Sequence, residues 1–353
     1  MRILGIETSC DETAAAVVED GHRLLSNVVA SSMDLHAAYG GVVPEIAARS
    51  HIEAINPVIE QALADAAAAW NDIDGIAVTY GPGLGGSLLV GVLTARTLAI
   101  ARHKPLYAVN HVTAHCYANF LTSTPLPCYR LPSKQPVFPV LALIVSGGHS
   151  QLVLFRDHFE YQVLGRTHDD AIGEAFDKVA KIIGLPYPGG PSISKKALEG
   201  NPTAYKLPKA KMAGKYDLSF SGLKTAVLRT AQAAVGKAYD FPSFEIAPLL
   251  SDTQKADLAA SFQNVAVSTV VDKTLLAYNE FVPTSVVIAG GVAANQELRR
   301  QLAERLPTPI EYTDVKLCTD NGAMIAALGC FLASSDAVPA DPFSLDIAPN
   351  LVM

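Results

Sequence analysis

"RILGIETSCDETAAAVVED" (residues 2–20) decides the fold. An apolar run, "RILGI", meets a polar turn, "ETSCDE", and returns in a second apolar run, "TAAAVVED". Two strand-like runs about a short polar turn predict a β-hairpin. The design recurs from Phe138, where "FPVLALIV", "SGGHS" and "QLVLFRD" follow one another in the same order. Short strands and helical stretches follow each hairpin. The chain therefore reads as two similarly built α/β lobes, each around a mixed sheet.

The helical stretches are "PEIAARSHIEAINPVIEQALADAAA", "GSLLVGVLTARTLAIARH", "DDAIGEAFDKVAKIIG" and "LAASFQNVAVSTVVDKTLLAYNEF". "SVVIAGGVAANQELRRQLAERL" reads as strand, Gly-Gly turn and helix, an arrangement that gathers backbone amides at one spot and suits an anion or nucleotide. The boundaries that follow are a first lobe over residues 1–119, a Pro-rich connector over 120–137 and a second lobe over 138–321. A C-terminal helix over 322–353 is expected to pack back on the first lobe.

At 353 residues the chain exceeds the about 250–300 residues at which single cores stop growing. Its apolar fraction is 50% and its charged fraction 17%, the balance of a globular protein. No run reaches the about 18 uninterrupted apolar residues of a membrane span, since "GSLLVGVLTARTLAIA" carries Arg96. Glu7 comes too early for a signal peptide. The cysteines at 10, 116, 128, 318 and 330 are odd in number and lack a CxxC spacing, which predicts reduced thiols and a cytoplasmic protein. A net charge of −7 argues against a surface that binds polyanions in general. Lysines 195, 196, 206, 209, 211, 215 and 224 depart from that balance. They form either a solvated loop or a local phosphate-contacting patch.

"AVNHVTAHCYANF" (108–120) places Asn110 as a helix N-cap and His111 and His115 four apart on one face. The pair is a set of metal ligands or ordinary helix residues. Val112 stands where the zinc-protease pattern H-E-x-x-H carries its Glu, so this is a poor protease helix. Asp320 in "LCTDNGAMIAALG" is either a turn residue or a third ligand, completing a two-His, one-carboxylate set that suits iron(II) or zinc. "ETSCDET" holds three acids, Glu7, Asp11 and Glu12, among the hydroxyls of Thr8, Ser9 and Thr13. One acid orients a metal or water, or acts as a base. Cys10 has no base placed to activate it and reads as a bystander. "VSGGHS" offers amides for a phosphate, together with His149, which either touches the phosphate or caps its turn. In "GEAFDKVAKIIGLPYPGGP", Glu174 and Asp177 flank one helix face opposite a glycine wall, which is either a helix followed by a tight turn, the simpler reading of this piece alone, or a way to hold a ribose.

Seven motifs occur in order between residues 5 and 329: "GIETSCDET", "NHVTAH", "VSGGHSQLVL", "GEAFDKVAKIIGLPYPGGP", "SFSGLKTAV", "AGGVAANQELR" and "CTDNGAMIAALG". Together they resemble the TsaD/Gcp (YgjD) family of tRNA N6-adenosine threonylcarbamoyltransferases, once labelled O-sialoglycoprotein endopeptidases. The resemblance implies the two-lobed actin/sugar-kinase/Hsp70-like (ASKHA) fold. It also implies transfer of threonylcarbamoyl from threonylcarbamoyl-AMP to the N6 amine of adenosine 37, in tRNAs reading codons that begin with A. By position it makes His111, His115 and Asp320 the metal ligands, with Fe(II) favoured and Zn(II) the alternative. Ile144, Val145, Ser146, Gly147 and Gly148 look like the phosphate-side loop. Asp177, Gly190 and Asn295 look like ribose and adenine contacts, and Asp11 resembles the acid that assists transfer. Ser9, Glu12 and Glu174 are further candidates. The implied partners are tRNA, a TsaB-like paralogue, a TsaE-like P-loop ATPase and an upstream TsaC-type synthase, without a membrane. The chain departs from the family in having "VTA" between the histidines, where a Glu is frequent, and in a longer Pro-rich segment. The competing readings are a metal-dependent peptidase, an ASKHA-type ATPase or kinase, and a non-catalytic scaffold.

Overall fold

β1 (Arg2–Glu7) and β2 (Glu12–Glu19) pair antiparallel with Glu7 opposite Ala14, the hairpin that the first twenty residues predict. The computed structural model describes residues 1–37 and 39–353. After β3 (Arg23–Ser31) come α1 (Met33–Ala37) and α2 (Pro44–Asp65), then β4 (Gly75–Gly81), α3 (Gly85–Arg102), β5 (Leu106–Asn110) and α4 (His111–Tyr117). The sheet order is β3-β2-β1-β4-β5, with β4 and β5 running parallel to β1. Leu4 and Ile6 of β1 share a buried cluster with Ile55, Val58 and Ile59 of α2 and Val92 and Ala95 of α3. Burying each large aliphatic side chain contributes about 1.5–3 kcal/mol, so this face alone anchors the strand.

The second hairpin follows the same wiring. β6 (Val140–Val145) pairs antiparallel with β7 (Ser150–Asp157), β7 with β8 (Glu160–Arg166), and β9 (Ser285–Ala289) lies parallel to β6, giving the order β8-β7-β6-β9. Its helices are α5 (Ile172–Ile183), α6 (Gly189–Ala197), α7 (Ser221–Ala234), α8 (Asp252–Phe281) and α9 (Gln296–Arg305). α5 stops at Gly184, whose φ of +76° is the left-handed conformation a helix C-cap asks for. The long α8 starts from a capping box: Ser251 Oγ accepts from Gln254 N (3.2 Å) and Gln254 Oε1 accepts from Ser251 N (2.8 Å).

The chain then returns to the first sheet with α10 (Gly322–Ser334), in which residues 322 to 330 are all buried. α10 packs flush on β1, because a Cβ on Gly5 would lie 2.4 Å from Ala326 N. Any larger residue at position 5 would push strand and helix apart. The helix ends at Ser334, short of the 353 expected from its apolar start. Residues 335–353, with prolines at 339, 342 and 349, are non-helical and are held by side chains and strand ends instead. Arg96 donates to the carbonyls of Pro342, Phe343 and Leu345 (2.7, 2.6 and 3.1 Å), Ala348 N donates to Tyr80 O (2.7 Å), and Asn110 Nδ2 to Val352 O (3.3 Å).

By contacts the chain forms two units, Met1–Pro136 with Glu311–Met353, and Val137–Ile310. The Pro-rich segment thus lies inside the first unit. Leu24 N donates to Ser123 O (2.9 Å), and Ser133 hydrogen-bonds the Glu311 carboxylate through its amide (2.6 Å) and hydroxyl (2.9 Å). Among the described residues no helix is long and apolar enough to cross a membrane.

Candidate metal centre and nucleotide turn

β5 hands the chain to α4 through Asn110, whose Oδ1 accepts from the amides of Val112 (2.9 Å) and Thr113 (3.1 Å). That cap fixes where the first helical turn begins and so where His111 and His115 project. Their ring centroids are 4.7 Å apart, edge to face. Asp320 comes from the segment before α10, and its Oδ1 lies 3.5 Å from His111 Nε2 and 3.2 Å from His115 Nε2. The capping of α10 falls to the neighbour Asn321, whose Oδ1 accepts from Met324 N (3.1 Å). The carboxylate of Asp320 is therefore turned to the histidines and not to the helix end.

The three residues form the group that could hold a metal among the described residues. Ligands about 2.0–2.1 Å from one tetrahedral ion stand about 3.3 Å apart, close to the two separations between Asp320 and the imidazoles, and the three donor atoms lie within 4.8 Å of one another. A second observation fits the same reading. Both ring nitrogens of His115 are buried without a hydrogen-bond partner, because the approach to Asp320 has ion-pair distance but not hydrogen-bond geometry. A buried unpaired polar atom costs about 1–3 kcal/mol, a cost that a bound ion removes. Val112 is buried between the histidines, so the helix lacks a protease's general base.

Glu7 closes the far side of His111. It is fully buried, and its carboxylate accepts from Ser9 N (2.6 Å) and from the Thr79 hydroxyl, with Oε2 3.2 Å from His111 Nδ1. Burial alone would raise the Glu7 carboxyl, but His111 beside it holds it below its ordinary range. Burial likewise opposes charge on His111, yet Asp320 and Glu7 lift that imidazole from 6.5 to about 9.

The acids of the first turn are held in place through their backbone. Asp11 O accepts from both the hydroxyl (2.8 Å) and the amide (3.0 Å) of Ser32. Val43 N donates to His36 Nδ1 (3.2 Å), so Nε2 carries the proton and donates to Ser32 Oγ (3.1 Å). His51 Nε2 donates to Cys10 O (3.0 Å), which leaves Nδ1 to accept from Thr13 Oγ1 (2.8 Å). Burial lowers the His51 pKa, in keeping with a neutral ring. Ser9 Oγ is 3.1 Å from His111 Nδ1. Burial, then Asp320 and Asp11, lift the Glu12 carboxyl to about 10. Burial and the same acids push the Cys10 thiol far up, which suits a bystander. Among the described residues no cysteine is in a disulfide.

Glu7, His36 and His51 were not singled out from sequence. His51 had a signal, since Ala47, His51 and Ile55 follow one another at helical spacing on the buried face of α2. Glu7 had a weaker one, an acid at the end of an otherwise apolar strand.

In the second unit three segments meet at the end of β6. Gly173 N at the start of α5 donates to Ser146 O (3.2 Å), and a Cβ on Gly290 would lie 2.4 Å from Val145 O. Ile144 and Val145 are strand residues with buried side chains. Ser146 N donates to His149 O (2.8 Å) and Ser146 Oγ accepts from His149 N (3.1 Å), closing the turn. Gly147 and Gly148 are exposed, and an added Cβ on either meets nothing within 4 Å. Asp177 Oδ1 accepts from Gly189 N (2.7 Å), and burial raises its pKa. Gly190 is equally open. Asn295 is more committed than its sequence context suggests. Both amide hydrogens donate, to Ser194 Oγ and Gln263 Oε1 (3.0 Å each), while Oδ1 caps α9 through Leu298 N (3.0 Å). Glu174 pairs with Lys178 (2.7 Å) on a half-exposed face.

The lysine-rich segment is largely neutralised within the chain. Lys196 pairs with Glu199 (2.7 Å) and Asp252 (3.0 Å), Lys209 with Asp272 (2.6 Å), Lys215 with Glu280, and Lys224 with Asp170 (2.9 Å). Among the described residues Lys195, Lys206 and Lys211 are exposed and make no ion pair.

Comparison with known proteins shows the family. The family model TsaD, described as tRNA N6-adenosine threonylcarbamoyltransferase, matches residues 23–327. The chain is 50% identical over 362 residues to the tRNA N6-adenosine threonylcarbamoyltransferase of Thermomicrobium roseum, covering 99% of this chain and 96% of that protein. It is 51% identical over 333 residues to the protein of the same name from Symbiobacterium thermophilum, covering 94% and 91%. Among solved structures, full-length HypF in the phosphate- and nucleotide-bound form aligns with a TM-score of 0.57 at 15% identity, covering 96% of this chain and 56% of that one. The likeness to HypF is one of fold, and the fold is of the ASKHA class.

Proposed function

The chain belongs to the TsaD family, and from that premise we propose which of its residues serve the family's reaction. The reaction transfers threonylcarbamoyl from threonylcarbamoyl-AMP to N6 of adenosine 37 in tRNAs reading codons that begin with A. The N6 lone pair attacks the carbamoyl carbon, a C–N bond forms, and the bond from that carbon to the phosphate oxygen breaks. AMP leaves with the electron pair, and one N6 proton is lost.

Asp11 is the proposed acceptor of that proton. It is 9% exposed, and the grip of Ser32 on its backbone carbonyl limits how far its carboxylate can wander. The open amides of Gly147 and Gly148 hold the phosphate, as bare backbone N–H groups in such turns do. Asp177 with its second oxygen, Gly190, and the remaining acceptor lone pair of Asn295 serve the ribose and adenine. His111, His115 and Asp320 would hold one divalent ion, Fe(II) in preference to Zn(II). When bound, such an ion supplies Lewis acidity toward a carbamoyl or phosphate oxygen.

Lys195, Lys206 and Lys211 are the segment's available contacts for tRNA phosphates. The partners are a TsaB-like paralogue and a TsaE-like ATPase, with a TsaC-type synthase upstream, all in the cytoplasm. Ile52, Leu89, Leu93 and Ile100, exposed on α2 and α3, offer an apolar surface for the paralogue.

The observation that carries this reading is the His-His-Asp group in a chain half identical over its whole length to named transferases. The test is threonylcarbamoyl transfer to unmodified tRNA with synthase and both partners present, comparing wild type with His111→Ala and Asp11→Ala. Wild-type product that largely disappears in both variants supports the assignments. Full activity in Asp11→Ala would remove the proposed base. No wild-type product, where a relative succeeds in the same assay, would overturn the reading.

A further inference from the structure

We propose that Glu7 is the positioning residue of the metal centre, accepting the Nδ1 proton of His111 and so leaving Nε2 as that ring's ligand atom. The proposal rests on the metal reading of His111, His115 and Asp320. Glu7 is fully buried and lies at the last position of β1, 104 residues from His111 in sequence. Its Oε1 accepts from Ser9 N (2.6 Å), and its Oε2 accepts from the Thr79 hydroxyl and faces His111 Nδ1 at 3.2 Å.

A carboxylate offers lone pairs only, so a nitrogen that faces it in contact must bring the proton. Ser9 Oγ, 3.1 Å from the same nitrogen, can share that proton as a second acceptor. With Nδ1 protonated, the lone pair of a neutral ring is on Nε2, the nitrogen directed to Asp320 at 3.5 Å. The helix fixes only the direction of the His111 Cα–Cβ bond. The hydrogen bond to Glu7 fixes the remaining rotation of the ring. Glu7 cannot drift, because Thr79 on β4 and the Ser9 amide hold both of its oxygens.

His115 has no such support. Neither of its ring nitrogens has a hydrogen-bond partner, so of the two imidazoles only His111 has its tautomer set in advance. Carboxylate partners of metal-bound histidines typically govern affinity by about 10–100-fold. Glu7 touches neither substrate nor reacting atoms in this role and acts through His111 alone.

The test uses the full-length protein labelled with 15N-histidine and loaded with Zn(II). Long-range 1H–15N correlation of the side chains reads which nitrogen of His111 carries hydrogen and which is bound to metal. Protonated Nδ1 with metal-bound Nε2 is expected; metal on Nδ1 overturns the proposal. This readout needs no variant to fold. Zn(II) competition against a chromophoric chelator then compares wild type with Glu7→Gln, which keeps the side-chain shape and removes the charge. Weakening by about 10–100-fold is expected. Metal-dependent shifts at His111 and His115, with Glu7→Gln within two-fold of wild type, would overturn the role of Glu7 while leaving the metal centre standing. No shift at either histidine would overturn the metal reading and this proposal together.

Discussion

The turn after β1 and the turn after β6 occupy equivalent places in two similarly wired sheets, and they are built in opposite ways. In the first, Thr8 is 0%, Ser9 2% and Asp11 9% exposed. Three of its carbonyls are engaged: Ser9 O by Leu84 N (2.8 Å), Cys10 O by His51 Nε2 (3.0 Å) and Asp11 O by Ser32. In the second, Gly147 and Gly148 are open to solvent with nothing near the place a Cβ would take. The difference follows from what each must present. Carboxylates and imidazoles crowded around one spot need neighbours to hold them still, whereas the second turn, on the reading proposed above, offers a phosphate bare amides and room.

The largest effect is expected from breaking the crowded side at its His-His-Asp group. His115→Ala or Asp320→Ala should abolish stoichiometric metal binding and lower tRNA modification by at least about 100-fold, measured as metal content and product on the same sample. Metal retained at wild-type stoichiometry would mean that the crowding serves something other than an ion.

Glycine substitutions sharpen the contrast directly. A Cβ on Gly83 would stand 2.6 Å from Ser9 O, so Gly83→Ala should destabilise by about 1–3 kcal/mol in thermal or denaturant unfolding. Gly148→Ala should leave unfolding unchanged but weaken AMP binding by about ten-fold, because the methyl enters space meant for ligand. Equal melting losses at the two positions would erase the distinction.

A pH series probes the same asymmetry more gently. His111 is lifted to about 9, so metal must displace a proton there, and apparent Zn(II) affinity should fall toward about ten-fold per pH unit below that value. For the metal-free protein the sign runs oppositely. A raised imidazole pKa contributes stability fully below 6.5, and that contribution is lost as pH rises through about 9. The melting temperature without metal should therefore decline across that window.

Glu12→Gln should give the smallest change. The folded chain keeps a proton on Glu12 between 4.5 and about 10 that the unfolded chain releases, which costs stability increasingly as pH rises. The amide removes that slope, and near pH 8 the metal-free variant should melt higher than wild type.

The hairpins, the N-cap at Asn110 and the end of α5 at Gly184 were legible because their determinants are local. A strand, a turn residue and a cap are each settled within a few positions. The ligand set was legible only once several motifs were read together, since nothing in "TDNG" tells Asp320 from Asn321 as the capping residue. What stayed hidden depends on neighbours distant in sequence. Lys209 meets Asp272 and Lys215 meets Glu280, so a run that looks basic along the chain is largely neutral in space. Glu7 was one of three acids in a short polar stretch, and only the parallel strand carrying Thr79 shows which acid is turned inward.

Chain order adds a consequence of its own. The second unit is contiguous, whereas the first waits for Glu311–Met353. On a ribosome, His111 and His115 emerge about 200 residues before Asp320, a delay of about 10–40 s at about 5–20 residues per second. Throughout that time β1 lacks α10, and Gly5 has no helix against it. The first hairpin is made long before it is finished, so a cell must shelter its bare sheet face until α10 has emerged.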